Sequence, residues 1–351
     1  MVTVRSFAKV NLGLRIGPPR VDGFHGLTTL YQTIGLFDEL TVTARPASET
    51  SIVLRSNEPR VPTDGRNTVH KTVSLALAAM GVTAAVEIFL QKNLPIQGGL
   101  GAGSANAAAA LLGLERELGV SLSAAERFAL AEQVGSDVPL FLIGGTVYGH
   151  DRGQIVLPYP DVPAMPCVVF APVVGSSTPL AFRAWDERIG ALTPEAATRR
   201  LDELSRVYAS AFAPAGQAGS GGLRPEGFET GASGVSGALD GLNETQRSGD
   251  LAGNPLPALV RTGIENDFEE VVFLQHPFLR DILHALRGED ALPAENRAVM
   301  AALSGSGSSL FALFATIADA EAAMARVQGF AGRAFLTETL TRQQYWHRLF
   351  A

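Results

Sequence analysis

A glycine-rich stretch without a lysine, Gly98-Gly99-Leu100-Gly101-Ala102-Gly103-Ser104, limits what this chain can fold into more than any other feature. It follows an apolar run at residues 84–90 and precedes residues 105–118, which have the composition of a helix. A strand, a loop of nearly bare backbone and a helix start bring free N–H groups and the positive end of a helix dipole to one point. Such a point holds phosphate. The spacing separates this loop from two commoner ones. Counting G-x-G-x-x-G from Gly99 or Gly101 puts Ser104 or Asn106 where the third glycine belongs. Gly98 and Gly103 meet the glycine spacing of a Walker A loop, but Ser104 stands in place of its lysine. The loop is therefore read as binding phosphate without supplying a cation, the alternative being a flexible glycine turn before a core helix.

With 351 residues, 46% of them apolar, the chain exceeds the usual size of one domain, so two domains with a cleft between them are expected. A formal charge of −7 and the lack of any basic cluster argue against a nucleic-acid surface and favour a small metabolite. Residues 1–9 lack the apolar core and cleavage site of a secretory signal, and no apolar run approaches the ~20 residues of a membrane span. A soluble, cytoplasmic protein is expected. The single cysteine, Cys167, sits in Met165-Pro166-Cys167-Val168-Val169-Phe170, which reads as a buried strand, so it is a core thiol rather than a nucleophile.

Strand-like runs at residues 2–7 and 39–43 precede a helix at about 67–80, a strand, the glycine loop and its helix. Ser123 and Glu126 form the pattern of a capping box opening a further helix. Pro139 is expected to end that helix and leave Asp137 at a turn. Between about 213 and 256 glycines punctuate a stretch with few large apolar residues, which reads as a mobile insertion. Helices near 268–274 and 278–286, strands at 298–303 and 310–314, a helix near 318–327 and a strand near 334–339 follow, the pattern of a second α+β domain. Ser304-Gly305-Ser306-Gly307-Ser308-Ser309 joins two of those strands, as a plain hairpin turn or as a second clamp on the phosphate ligand.

Phosphoryl transfer needs phosphates held, charge neutralised and an acceptor hydroxyl aimed. Lys9, at the end of the first apolar run, and Asp137, at its turn, fit the last two tasks; singly, each also fits a structural or surface ion. Asp22-Gly23-Phe24-His25 reads as a turn followed by an aromatic and an imidazole, which suits a heteroaromatic base or an ordinary hairpin. No Cys, His or carboxylate cluster has metal-ligand spacing, so no protein metal site is expected and Mg²⁺ should arrive with ATP.

Four segments in order, Ala8-Lys9-Val10-Asn11-Leu12, Asp22-Gly23-Phe24-His25, the stretch from Leu94 through Ala108 and Gly135-Ser136-Asp137-Val138-Pro139, resemble the motifs of the GHMP kinase superfamily. The first two narrow the resemblance to its members acting on a cytidine-diphosphate-linked methylerythritol. The resemblance covers about residues 5–185 and resumes at Asn266-Asp267, leaving out the glycine-rich insertion. It implies a two-domain α+β fold, an N-terminal ATP-binding domain at residues 1–160 and a ferredoxin-like C-terminal domain at 161–351. The implied activity is ATP-dependent phosphorylation of the 2-hydroxyl of 4-diphosphocytidyl-2-C-methyl-D-erythritol, in the non-mevalonate route to isoprenoid precursors. By motif position Asp137 is the general base and Lys9 its partner, and Asn11 lines the acceptor site. Asn67, Lys92, Pro95, Gly98, Gly99, Leu100, Gly101, Ala102, Gly103 and Ser104 hold ATP, with Gly305, Ser306 and Gly307 completing the cleft. Phe24 stacks on the cytosine, His25 hydrogen-bonds it and Phe182 covers its other face. Ala102, Ala105, Ser136 and Phe24 replace the commoner Gly, Ser, Ala and Tyr of the pattern. A monomer or weak homodimer, with no nucleic-acid or membrane partner, completes the expectation. The alternatives are another GHMP kinase, acting on mevalonate, homoserine or a sugar, and a non-catalytic nucleotide-binding module.

Overall fold

The computed structural model describes residues 1–20, 22–189, 193–211, 256–261, 264–288 and 296–351. The insertion expected at about 213–256 falls outside them except for Leu256. The first half of the chain builds β1 (Val2–Pro19), β2 (His25–Pro46), β3 (Ser51–Ser56), α1 (Thr68–Met80), β4 (Ala84–Gln91), α2 (Ala102–Leu118), α3 (Ala124–Val134), a 3₁₀ turn (Pro139–Leu142), β5 (Thr146–Asp151) and β6 (Ile155–Pro158). The second half adds β7 (Pro166–Pro172), α4 (Thr178–Ile189), α5 (Pro194–Ala211), α6 (Leu256–Arg261), α7 (Phe268–Gln275), α8 (Phe278–Arg287), β8 (Met300–Leu303), β9 (Leu310–Leu313), α9 (Ile317–Val327), β10 (Gly332–Glu338) and α10 (Arg342–Arg348).

Two sheets result. The first runs β3-β4-β2-β5-β6 with β1 paired to β2. The second is antiparallel in the order β10-β7-β9-β8, the ferredoxin-like arrangement the resemblance implied. Strict alternation in the second sheet explains its two faces. Val168, Phe170, Leu310 and Ala312 join a core with Ile282 and Leu283 of α8, whereas Cys167, Val169, Phe311 and Leu313 join Ala8, Val10 and Leu12 of β1. The two sheets thus share a core, and Cys167 lies inside it, with burial pushing its thiol pKa up. The chain end returns to the first sheet, where Tyr345 and Leu349 pack with Val4 and Phe7.

Three local readings change. The strands expected at 2–7 and 39–43 are parts of an 18-residue and a 22-residue strand. Their middles are buried on both faces, so the polar–apolar alternation that marks a strand is lost there. The second helix begins at Ala102, inside the glycine stretch, rather than at 105. Gly135, not Pro139, ends α3, and Pro139 instead opens the 3₁₀ turn, where its fixed φ and missing donor suit a first position. The capping box of Ser123 and Glu126 forms as read.

Small side chains place α2 where it matters. Ala105, Ala107, Ala108, Ala109 and Ala110 are buried, and a Cβ on Gly113 would meet Val42 Cγ2 at 2.9 Å and Val4 Cγ2 at 3.1 Å. The helix therefore lies close on β1 and β2 with its N-terminus at their centre.

Candidate active site

β1 and β2 supply the first functional groups. Their register slips between Phe7 and Lys9 and again between Asn11 and Gly13, re-aiming the strand. Lys9 and Asn11, two residues apart, share a face, and Tyr31 stands opposite Asn11. Lys9 Nζ donates to Asn11 Oδ1 at 2.7 Å and to Gly99 O at 3.0 Å, and lies 3.5 Å from Asp137 Oδ2. Asn11 Nδ2 donates to Thr29 Oγ1 at 2.8 Å, which fixes the amide orientation. The Tyr31 hydroxyl donates to Asp137 Oδ1 at 3.1 Å. Asp137 is thus held at both oxygens while a third of its side chain stays exposed to the cleft.

Electrostatics follow from burial. Removal from water lowers the pKa of the Lys9 ammonium below the usual lysine value, with Asp137 pulling the other way. Burial first, then the Asp137 charge, raise Tyr31 well above an ordinary phenol. Tyr31 is therefore a neutral donor at any physiological pH. Sequence reading did not single out Tyr31 or Thr29; both become visible only once β2 is registered against Asn11.

A cleft of about 720 Å³ lies over this group, lined by Lys9, Asn11, Asp137, Gly305, Ser306 and, further out, Phe24, His25 and Phe182. A second groove of about 390 Å³ is lined by Asn67, Lys92, Pro95 and every residue of the 98–104 loop. Gly99, Gly101 and Ser104 border both, so the cavities meet over the glycine loop. The first helical bond of α2 runs from Ala105 N to Gly101 O, which leaves the amides of Ala102, Gly103 and Ser104 ahead of the ladder and free to meet an anion. Gly101 caps the helix at φ 70°, a conformation that favours glycine.

Other residues carried by the resemblance take more particular places. Asn67 caps α1 by accepting from Val69 N and donates to Pro62 O at 2.6 Å, framing the groove. Leu100 lines the groove with its side chain in the shared core. Lys92 borders the groove, but its ammonium pairs with Asp38 Oδ2 at 2.5 Å. Gly305 and Ser306 reach the main cleft, whereas a Cβ on Gly307 would lie 2.3 Å from the Gly98 carbonyl carbon. Gly307 is thus the contact between the two glycine loops, joined also by Ser309 N to Gly98 O at 3.1 Å. Asn266 anchors the second loop by donating to Leu303 O and Gly305 O.

At the outer end His25 Nε2 donates to Asp186 Oδ1 at 2.6 Å and its ring stacks on Phe182 at 4.6 Å. Phe24 is half exposed beneath the Arg152 guanidinium, 4.7 Å from its ring centre. Phe182 and Asp186 sit four residues apart on α4, one face of one helix. That spacing was the available sign of Asp186, which sequence reading passed over.

Among the described residues no group of three or more His, Cys, Asp or Glu side chains could hold a metal ion, and no helix is long and apolar enough to cross a membrane.

Residues 67–145 match the GHMP kinases N terminal domain and residues 250–332 the GHMP kinases C terminal domain. A 4-diphosphocytidyl-2-C-methyl-D-erythritol kinase of Nocardioides sp. is 42% identical over 52% of this chain, an alignment spanning 62% of that protein. One from Solibacter usitatus is 34% identical over 89% of this chain and 80% of its own. The crystal structure of a 4-(cytidine 5'-diphospho)-2C-methyl-D-erythritol kinase, 27% identical, superposes with a TM-score of 0.63, covering 96% of this chain and 98% of that one.

Proposed function

The chain belongs to the 4-diphosphocytidyl-2-C-methyl-D-erythritol kinases of the GHMP kinase superfamily, and we propose that its cleft carries the ATP-dependent phosphorylation of the substrate's 2-hydroxyl. The observation that carries this reading is the Lys9–Asp137 pair, 3.5 Å apart, at the junction of two cavities that share the glycine loop. The acceptor occupies the larger cleft, the nucleotide the smaller groove, and the reacting groups meet over Gly99, Gly101 and Ser104.

In this reaction the Asp137 carboxylate takes the proton of the acceptor hydroxyl as its oxygen bonds to the γ-phosphorus of ATP and the bond from that phosphorus to the bridging oxygen breaks, releasing ADP. Tyr31 keeps one carboxylate oxygen occupied, so the other faces the alcohol. The Lys9 ammonium, itself almost fully buried, offsets charge that builds between the carboxylate and the transferred group. Asn11 sets the ammonium's direction. The amides at the start of α2 hold nucleotide phosphates, and Mg²⁺ enters with the nucleotide, supplying charge neutralisation when bound. His25, ordered by Asp186, reads the edge of the cytosine, while Phe24 and Phe182 offer faces to stack on.

The remaining parts of this reading are an N-terminal ATP-binding domain at 1–160, a C-terminal domain at 161–351, a cytoplasmic location and a monomer or weak homodimer. A coupled ADP-release assay tests the function. Turnover is expected with 4-diphosphocytidyl-2-C-methyl-D-erythritol and not with mevalonate or homoserine. Preference for either of the latter would move the chain to another kind of GHMP kinase.

A further inference from the structure

Beneath the glycine loop lies a second charged cluster that takes no part in the chemistry described so far. Asp38, on β2, has no exposed surface, yet its carboxylate accepts four hydrogen bonds. Oδ1 accepts from the backbone amides of Asn93 at 2.7 Å and Leu94 at 2.8 Å. Oδ2 accepts from Lys92 Nζ at 2.5 Å and Asn106 Nδ2 at 3.1 Å. The Asn106 amide is itself oriented, because its Oδ1 accepts from Ser6 Oγ at 2.6 Å.

These partners lie on the two limbs of the phosphate loop. Residues 92–94 form the limb that enters it from β4, and Asn106 stands in α2 just beyond it. One carboxylate on a central strand grips both. A buried carboxylate with this many fixed donors is specific in geometry, since every bond lost leaves a desolvated group unpaired. Lys92 and Asn106 border the nucleotide groove, but the Lys92 ammonium and the Asn106 side-chain nitrogen both donate to Asp38.

We infer that Asp38 is a positioning residue for phosphoryl transfer: by holding both limbs it sets the shape of the nucleotide cradle, and Lys92 is its counter-ion rather than a phosphate ligand. The inference rests on reading the 98–104 loop as that cradle. The bare loop without a lysine thus gains no cation from Lys92, and its own contribution to holding phosphate is its main-chain amides.

The test compares wild type with Asp38→Asn, Lys92→Met, the double variant and Asn106→Ala. Two quantities are measured: affinity for a non-hydrolysable ATP analogue by calorimetry, and KM for ATP and for the cytidine acceptor. In Asp38→Asn an amide NH₂ faces donors and leaves the Lys92 charge unpaired, so nucleotide affinity should fall roughly 10-fold or more. The acceptor KM should stay within about 2-fold, a split that general loosening of the fold does not produce. Lys92→Met, in which Asp38 keeps three N–H donors, should cost far less. Adding it to Asp38→Asn should recover part of the loss, because no unpaired ammonium is left. A phosphate-binding Lys92 gives the reverse, with Lys92→Met as damaging as Asp38→Asn and no recovery in the double variant, and that result overturns the proposal. Should Asp38→Asn not fold, Asn106→Ala decides: a several-fold loss of nucleotide affinity with unchanged acceptor KM supports it, and unchanged nucleotide affinity overturns it. Nucleotide affinity is read without turnover. A wild type that binds the analogue yet ignores the cytidine acceptor would therefore break the functional reading and leave this one standing.

Discussion

At the inner end of the cleft Lys9, Asn11, Tyr31 and Asp137 hold one another through buried hydrogen bonds, on strands and a turn pinned from both sides. At the outer end Phe24, His25, Phe182 and Asp186 come from a strand start and a single helix, partly exposed, with two rings stacked on each other. The inner groups have little freedom left to lose, which is what a site acting on a transition state requires. The outer groups make sequence-tolerant aromatic faces and one directed hydrogen bond, which is what recognition of a base requires. Changes at the inner end should therefore appear in kcat, and changes at the outer end in KM.

The strongest challenge to that division is Asp137→Asn. Removing the proton acceptor while keeping its shape should lower kcat by about 10²-fold or more and move the acceptor KM little, as steady-state kinetics would register. A variant near wild-type turnover would strip Asp137 of its role. Next in size, Phe182→Ala should raise the acceptor KM roughly 10-fold, from ~1–3 kcal/mol of lost stacking, with kcat nearly kept. A fall confined to kcat would mean that the two ends are not separable.

The smallest effect sharpens the inner end alone. Burial lowers the Lys9 pKa, so its proton leaves at a lower pH than from a solvated lysine, and the alkaline fall of kcat/KM should begin below the usual lysine range of about 10.4. Lys9→Arg, weaker but always charged, should lose that limb. A profile flat through the lysine range would place the functional proton elsewhere.

Legibility differed between the same two ends. Asp137 and Lys9 were visible as a carboxylate at a turn and a cation at the end of an apolar run, although singly each also fitted a structural or surface ion. Tyr31 was not visible, because a tyrosine in an apolar strand is ordinary until the register sets it opposite Asn11 and its hydroxyl against Asp137. His25 was legible as an imidazole following a turn and Phe182 was carried by the resemblance, while Asp186 needed the helix that puts it one turn beyond Phe182. Lys92 was placed at the ATP site by the resemblance, but only the fold shows Asp38 paired with it.

By itself the sequence determined the glycine loop before a helix, the capped helices and the alternating strands of the second sheet, since each depends on neighbours a few residues away. The meeting of Lys9 with Asp137, the backing of one glycine loop by the other at Gly307 and the grip of Asp38 on both limbs were decided by the tertiary structure. They join residues 54 to 209 positions apart, and such pairings are set by strand register, bulges and close packing of small side chains, which no local pattern encodes.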